Sequence, residues 1–451
     1  MNPISERRLL RWGVLLACLL TIAGLQAYYA TTAAQGWLQI STKLQLMLWS
    51  GVAWSAVLAV VTLMAWLDGT ERLIGWMKQF VGQLSRLGWL LPLLSLVLVA
   101  AFPVLMYTQS SLYLSQNWTR QAVFLWLWAA LTFSLVAFWH KPWTSMAALA
   151  GLSMAALYHL TTYLPHISNY PFGLWWSETT RYYLASTFLG EQIYGQDLPW
   201  TMKDMTRYLI QAVPFLVPGA PLWLHRLWQV ILRFFCGYLT GYVLARRLKI
   251  PSALPVGLFT LWAGLFFFQG PVFYHLIVVV ILVVWLADIG RFWQTLAVVA
   301  AVSIYAGFSR INWIPMPGLI AAVFYFAEKP VGGRDLKHIA RYLVLPAVWV
   351  IAGVAIGMAT QQFWAVYSGN PPEIYLSSFT SYMLWDRLLP NPSYPYGVLP
   401  LTLAVSAPLL IYLGIGLQAW KKKHWVRVLA VVGITAALFV GGMIVSAKIG
   451  G

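Results

Sequence analysis

Charge is scarce in this chain: 9% of its 451 residues are Asp, Glu, Lys or Arg, while 60% are hydrophobic. Soluble globular chains carry roughly a quarter of their residues charged, so that class is excluded. Acid is scarcer than base, at 12 against 29. Cysteine occurs twice, at Cys18 and Cys236, both inside apolar runs, which argues against a disulfide framework and a thiolate metal site. No stretch is long and polar enough for a separate soluble domain, and no internal repeat is visible. A Gly-rich phosphate loop after a strand and a nucleophile motif are also missing.

What the sequence does have is a succession of apolar runs, each long enough to cross about 30 Å of hydrocarbon as a helix. Read with that window, the chain holds about thirteen spans. They cover 9–30, 44–68, 88–108, 122–139, 144–164, 221–245, 251–269, 271–288, 292–308, 314–328, 342–362, 397–418 and 425–447. The expected class is therefore all-α, a polytopic membrane helix bundle. The segment 314–328 is short and rich in Pro and Gly, as a re-entrant segment would be. The first run has a basic flank, "SERRLLRW", like a secretory leader, but its length and the aromatic "AYYA" after it favour a retained anchor.

With the N-terminus in the cytoplasm, Arg7, Arg72, Lys78, Arg86, Lys141, Arg246, Arg247, Arg291, Lys329, Lys337 and Lys421 all fall on the inner side. That is the positive-inside pattern. The net charge of +17 reads as a topology signal, with attraction to membrane lipid headgroups as a by-product. A nucleic-acid partner would need the basic residues on one soluble face, and they are not placed so.

Two connections, 165–220 and 363–396, are long and lie outside, and long connections tend to be functional. They carry Glu178, Glu191, Asp197, Asp204, Glu373 and Asp386, and the remaining acids sit at cytoplasmic edges. None falls at mid-membrane. Ion-coupled carriers commonly use an intramembrane acid, so an enzyme at the outer face is the stronger reading. The rival is a transporter or flippase for a lipid-linked sugar or another anionic lipid.

In "YPFGLWWSETTRYYLAS" the scarce charges stand among aromatics that favour the headgroup level, including Trp176, Tyr182 and Tyr183. The spacing predicts an interfacial helix over 177–189, with Ser177 as N-cap and Gly190 near its end. On it Glu178 and Arg181 are neighbours at i and i+3. One reading makes them an exposed ion pair contributing under about 1 kcal/mol. The other makes Glu178 a general base whose proton affinity is raised in a partly dry cavity. A second interfacial helix is expected in "TMKDMTRYLIQAVPFL".

A span, an outer loop with an acid, then "RYYLAS", "GEQIYG", a Pro-containing amphipathic segment and "PLWLHRLWQ" resemble the GT-C superfamily of glycosyltransferases. The likeness covers 144–447 as a layout and 170–229 residue by residue. It implies a polyprenyl-phosphate-linked sugar as donor and places the family's catalytic acid on Glu178. The chain departs from the family pattern in two ways. Four spans precede the unit, which divides the chain into an extension, 1–143, and a catalytic bundle, 144–451. Glu178 is followed by Thr179 and Thr180 rather than by a second acid, so Glu191 and Asp197 stand in reserve.

A donor phosphate at the membrane surface calls for arginine. Arg226, Gln229 and Arg233 share a helix face at i, i+3 and i+7. Arg310, in "GFSRINWIPMPG", resembles the family's later basic position, and Arg181 accompanies Glu178. Their other reading is a polar seam or an interfacial anchor. In the last loop, Asp386 and Arg387 stand among aromatics suited to a sugar or acceptor wall. No cofactor is called for, although a divalent metal at Glu178 with Glu191 or Asp197 stays open. The expected activity is inverting transfer of a sugar to a hydroxyl of a lipid, glycan or protein, outside the plasma membrane.

Overall fold

The computed structural model describes residues 59–60, 70–108, 117–174, 178–269, 273–330 and 336–371. All regular structure among them is helical. The chain forms two compact units, Met1–Pro165 and His166–Gly451. The spans expected at 9–30, 397–418 and 425–447, nearly all of that at 44–68, and Trp176, Asp386 and Arg387 lie outside the described residues.

The first unit contains α1 (Thr70–Ser85), α2 (Leu90–Thr108), α3 (Asn117–Trp139) and α4 (Trp143–Tyr163). α1 was not among the expected spans because polar residues interrupt its apolar stripe. It meets α2 at a bend of 113°, where Gly88 takes a left-handed φ of 52°. Apolar helices gain little from burial inside hydrocarbon, so polar contacts and small residues set their packing. The Ser95 and Ser134 hydroxyls bond at 2.8 Å, and the Trp128 indole N–H donates to the Ala147 carbonyl at 2.7 Å. α4 packs with α2 and α3 and belongs to this first unit.

The second unit opens with short helices: α5 (Glu178–Ser186), α6 (Gly190–Tyr194) and α7 (Met205–Gln211). Short helices form in both stretches where sequence predicts them, with corrected ends. α5 stops at Ser186, and a 3-10 turn, Thr187–Leu189, leads directly into α6. Gly190 therefore begins a helix, and the left-handed stop is Gly195, at φ 70°. α7 gives way to another 3-10 turn, Val213–Leu216, where Pro214 cannot continue the α-helical bonding.

Longer helices follow: α8 (Leu222–Arg247), α9 (Ala253–Gln269), α10 (Tyr274–Leu286), α11 (Phe292–Gly307), α12 (Met316–Glu328) and α13 (Leu336–Ser368). Among the described residues, Leu222–Arg247, Ile311–Glu328 and Lys337–Ser368 are long and apolar enough to cross a membrane, and the bent pair α1/α2 would make a fourth. The segment expected to turn back, 314–328, instead continues its 3-10 turn, Ile311–Trp313, into one such crossing length. α13 runs on to Ser368, so the start of the outer connection at 363 is corrected by more than a turn.

Close helix approach in this unit depends on glycine. A Cβ on Gly318 of α12 would lie 2.6 Å from the Val350 Cα of α13, and one on Gly264 of α9 would overlap the Tyr238 ring of α8. Val279, Val299, Ala306, Ala321 and Trp349 fill the space between α10, α11, α12 and α13. Charge gathers at the two ends of these helices. At one end Arg247 bonds Glu328 at 2.7 Å and donates to the Val284 and Ala287 carbonyls at the C-terminus of α10. The other end holds α5, α7, the start of α8 and α10, and the α11–α12 connection.

Candidate functional site

Two charged clusters flank α5. In the first, Glu178 pairs with Arg226 of α8 rather than with Arg181, and both members are 4% exposed. Arg226 Nε and Nη2 donate to Glu178 Oε1 and Oε2 at 2.9 and 3.1 Å. Glu178 also accepts from the Leu174 amide at 2.8 Å and from the Tyr182 hydroxyl at 3.2 Å. The rest of the Arg226 fork goes to the Ser168 carbonyl and hydroxyl and to the Phe172 carbonyl. A carboxylate offers about four acceptor positions and a guanidinium five donors. Both groups are saturated by each other and by the loop at 168–174.

Burial is the largest single influence on the Glu178 carboxyl and pushes its pKa up. The Arg226 bond, the Leu174 amide, the Arg226 charge and the Tyr182 hydroxyl together outweigh it, and the net pKa lies below the ordinary value. The raised proton affinity expected of a base is reversed here. A polar chain runs into the pair, from Gln211 Nε2 to Gln229 Oε1 at 3.3 Å, from Gln229 Nε2 to the Tyr182 hydroxyl at 2.7 Å, and on to Glu178. Above the pair is a cleft of about 310 Å³, lined among others by Phe172, Thr179, Tyr182, Tyr183, Ser186 and Tyr194. Tyr183 and Tyr194 are half exposed, and the Tyr194 hydroxyl bonds Ser186 at 2.7 Å.

The second cluster lies on the α7 side of α5. Arg181 lies in the field of Arg207, and burial followed by the Arg207 charge lowers its pKa. Arg207 and Arg310 approach one ring, with guanidinium carbons 4.7 and 6.0 Å from the centre of Phe273. Lys203 and Asp204 complete the group, and Asp204 lies in the field of Arg310, Lys203 and Arg207. Burial raises the Asp204 pKa, an effect the three cations offset only in part.

Tertiary bonds fix this group. The Thr206 hydroxyl bonds Ser309 at 2.6 Å, and the Thr206 amide donates to the Phe308 carbonyl at 3.4 Å, which ties α7 to the connection carrying Arg310. Trp364 donates to the Met202 carbonyl at 3.0 Å, Asn370 to the Thr201 carbonyl at 2.8 Å, and Trp313 to the Leu276 carbonyl at 2.9 Å. Within this frame the Nε atoms of Arg181, Arg207 and Arg310 and the Oδ1 atom of Asp204 are buried with no hydrogen-bond partner among the described residues. Buried donors without acceptors are costly. Several convergent guanidiniums supply the geometry that a phosphoryl group fills.

The expected residues thus separate. Arg181 lies in the field of Arg207, which shares the Phe273 ring with Arg310, while Arg226 is occupied by Glu178 and Arg233 lies on an exposed face of α8 with its guanidinium 5.8 Å from the Phe268 ring. Glu191 and Asp197 are exposed on α6 and the connection after it. Among the described residues no group of three or more His, Cys, Asp or Glu is placed to hold a metal ion. Sequence reasoning missed Lys203 and Arg207 as site residues and counted Asp204 only as an outer-loop acid. The signal was "MKDMTR", three charged side chains within five residues of a chain otherwise poor in charge. No family model, curated protein or solved structure matches the chain.

Proposed function

We propose that the chain is a membrane glycosyltransferase of GT-C type, with about thirteen spans, that transfers a sugar from a polyprenyl-phosphate donor to an acceptor hydroxyl outside the plasma membrane. The observation that carries this reading is the second cluster. Arg207 and Arg310, which act on Asp204, and Arg181, which lies in the field of Arg207, have buried Nε atoms with no hydrogen-bond partner among the described residues, at one end of helices long and apolar enough to span a bilayer. That placement suits a ligand with its phosphate at the surface and its tail in lipid. The positive-inside rule accounts for the cations at the opposite end of these helices and leaves this group unexplained.

In this reading the Arg181, Arg207 and Arg310 guanidiniums hold the donor phosphate. The acceptor oxygen forms a bond to the anomeric carbon as the bond from that carbon to the phosphate oxygen breaks. The electron pair stays on the phosphate, where the arginines meet the growing charge. The hydroxyl proton passes to Asp204, which has an oxygen free to receive it. Glu178 and Arg226 hold α5 and the 168–174 loop in place, while Tyr182 and Tyr183 present the aromatic cleft to an acceptor.

The experiment uses purified full-length protein with a short-chain polyprenyl-phosphate sugar and a panel of acceptors. Sugar transfer that falls at least about a hundredfold in Asp204→Asn, with donor binding weakened in Arg207→Ala and Arg310→Ala, supports the proposal. Headgroup translocation in vesicles without any transfer favours the carrier instead.

A further inference from the structure

The cluster contains a contradiction if binding an anion is its only task. Asp204 carries a carboxylate among the cations that would hold that anion, and its Oδ1 makes no hydrogen bond. Lys203, Arg207 and Arg310 act on it directly and Tyr208 lies in its field, while Arg181, Tyr274 and His275 lie in the field of Arg207. A site built only for affinity would omit this acid, because an anion bound by Arg207 and Arg310 must sit close to it.

The two states of the ligand differ in charge. A glycosyl phosphodiester carries one negative charge. The phosphomonoester left after transfer has a second ionisation near pH 6 and carries about −1.5 to −2 at neutral pH. The arginines attract both forms, and the extra charge favours the spent one. A carboxylate in the same pocket repels the spent form more strongly than the glycosylated form.

Resting on the transferase reading, we infer that Asp204 biases the Arg181, Arg207 and Arg310 site toward the glycosylated lipid phosphate and against the spent lipid phosphomonoester, so that the product leaves. The proton taken during transfer keeps Asp204 neutral while the product forms. Its loss to water restores the carboxylate and with it the repulsion.

Binding measurements test this without turnover. The probes are one short-chain polyprenyl phosphate with and without its sugar, titrated in detergent at a pH well above the second phosphate ionisation. The wild-type protein should prefer the glycosylated lipid, or bind the two about equally. Asp204→Asn should shift the ratio toward the phosphomonoester by on the order of tenfold, the effect of removing one like charge a few Å away in a partly buried site. Asp204→Glu, which keeps the charge, should leave the wild-type ratio in place and guards against a folding defect in the first variant. Binding of both lipids with an unaltered ratio in Asp204→Asn overturns this inference and leaves the transferase reading standing. Failure of either lipid to bind, together with no effect of Arg310→Ala, overturns the reading itself.

Discussion

The Glu178–Arg226 pair shows how far one residue's role depends on what lies distant in sequence. Spacing within "SETTR" pairs Glu178 with Arg181, because i and i+3 is the only geometry a local reading can see. The partner is instead 48 positions away, on α8, and the pair is buried. Removing one member of such a pair strands the other, at a cost of about 3–5 kcal/mol. Glu178→Gln should therefore lower the thermal midpoint markedly, which scanning calorimetry in detergent reads directly. The lowered Glu178 pKa adds a pH signature. The pair's contribution is complete above the ordinary value of 4.5 and is lost as pH falls through the lower folded value. The wild-type midpoint should drop on acidification from the ordinary value of 4.5 through the lower folded value, and the drop should be smaller in Glu178→Gln. Asp204 should behave oppositely. Its raised pKa means that the ionised form is held at a cost in the native state, a cost that appears as pH rises through the folded value. Asp204→Asn should leave the ligand-free protein at least as stable as wild type at neutral pH, as expected of an acid kept for function rather than for the fold. A lower midpoint would give Asp204 a structural role.

Among the elements, the helix faces that matter most are those carrying glycine. In α12 and α13, whose Gly318–Val350 approach leaves no room for a Cβ, Gly318→Ala should cost about 1–3 kcal/mol through overpacking. Gly257 of α9 has nothing within 4 Å of a built Cβ, so Gly257→Ala should be neutral or gain up to about 1 kcal/mol from helix propensity. Thermal unfolding of the two variants side by side checks the contrast, and equal effects would mean that the α12–α13 contact is looser than described. The helices themselves were legible in the apolar windows: 144–164 became α4, and 251–269 became α9 within two residues. α1 was not, because its stripe is amphipathic rather than continuously apolar. The second interfacial helix was legible as an element but not as a site. That α7 delivers Asp204 and Arg207 to Arg310 depends on the Thr206–Ser309 bond, which joins residues 103 apart and leaves no trace in local periodicity.

At the scale of the whole molecule, composition made the membrane class and the all-helical architecture plain, and the basic loops proposed an orientation. Side-of-membrane is the assumption on which the donor reading rests, because polyprenyl-linked sugars used outside must meet their site there. Within the second unit the two charged ends are separated by the length of α10, 13 residues or about 20 Å of helix. They should therefore be reached from opposite sides. Asp197 is exposed on the connection from α6 to α7, the helix that carries Arg207, and Arg291 is exposed before α11. In a background with Cys18 and Cys236 replaced by serine, Asp197→Cys should react with a membrane-impermeant maleimide in intact cells. Arg291→Cys should react only after the membrane is opened. The reverse pattern would put the arginine cluster in the cytoplasm, where the same chemistry would have to use a donor presented on the inner leaflet. Labelling of both positions in intact cells would deny that the second unit crosses the bilayer between them, and with it the placement of phosphate at the surface and tail in lipid.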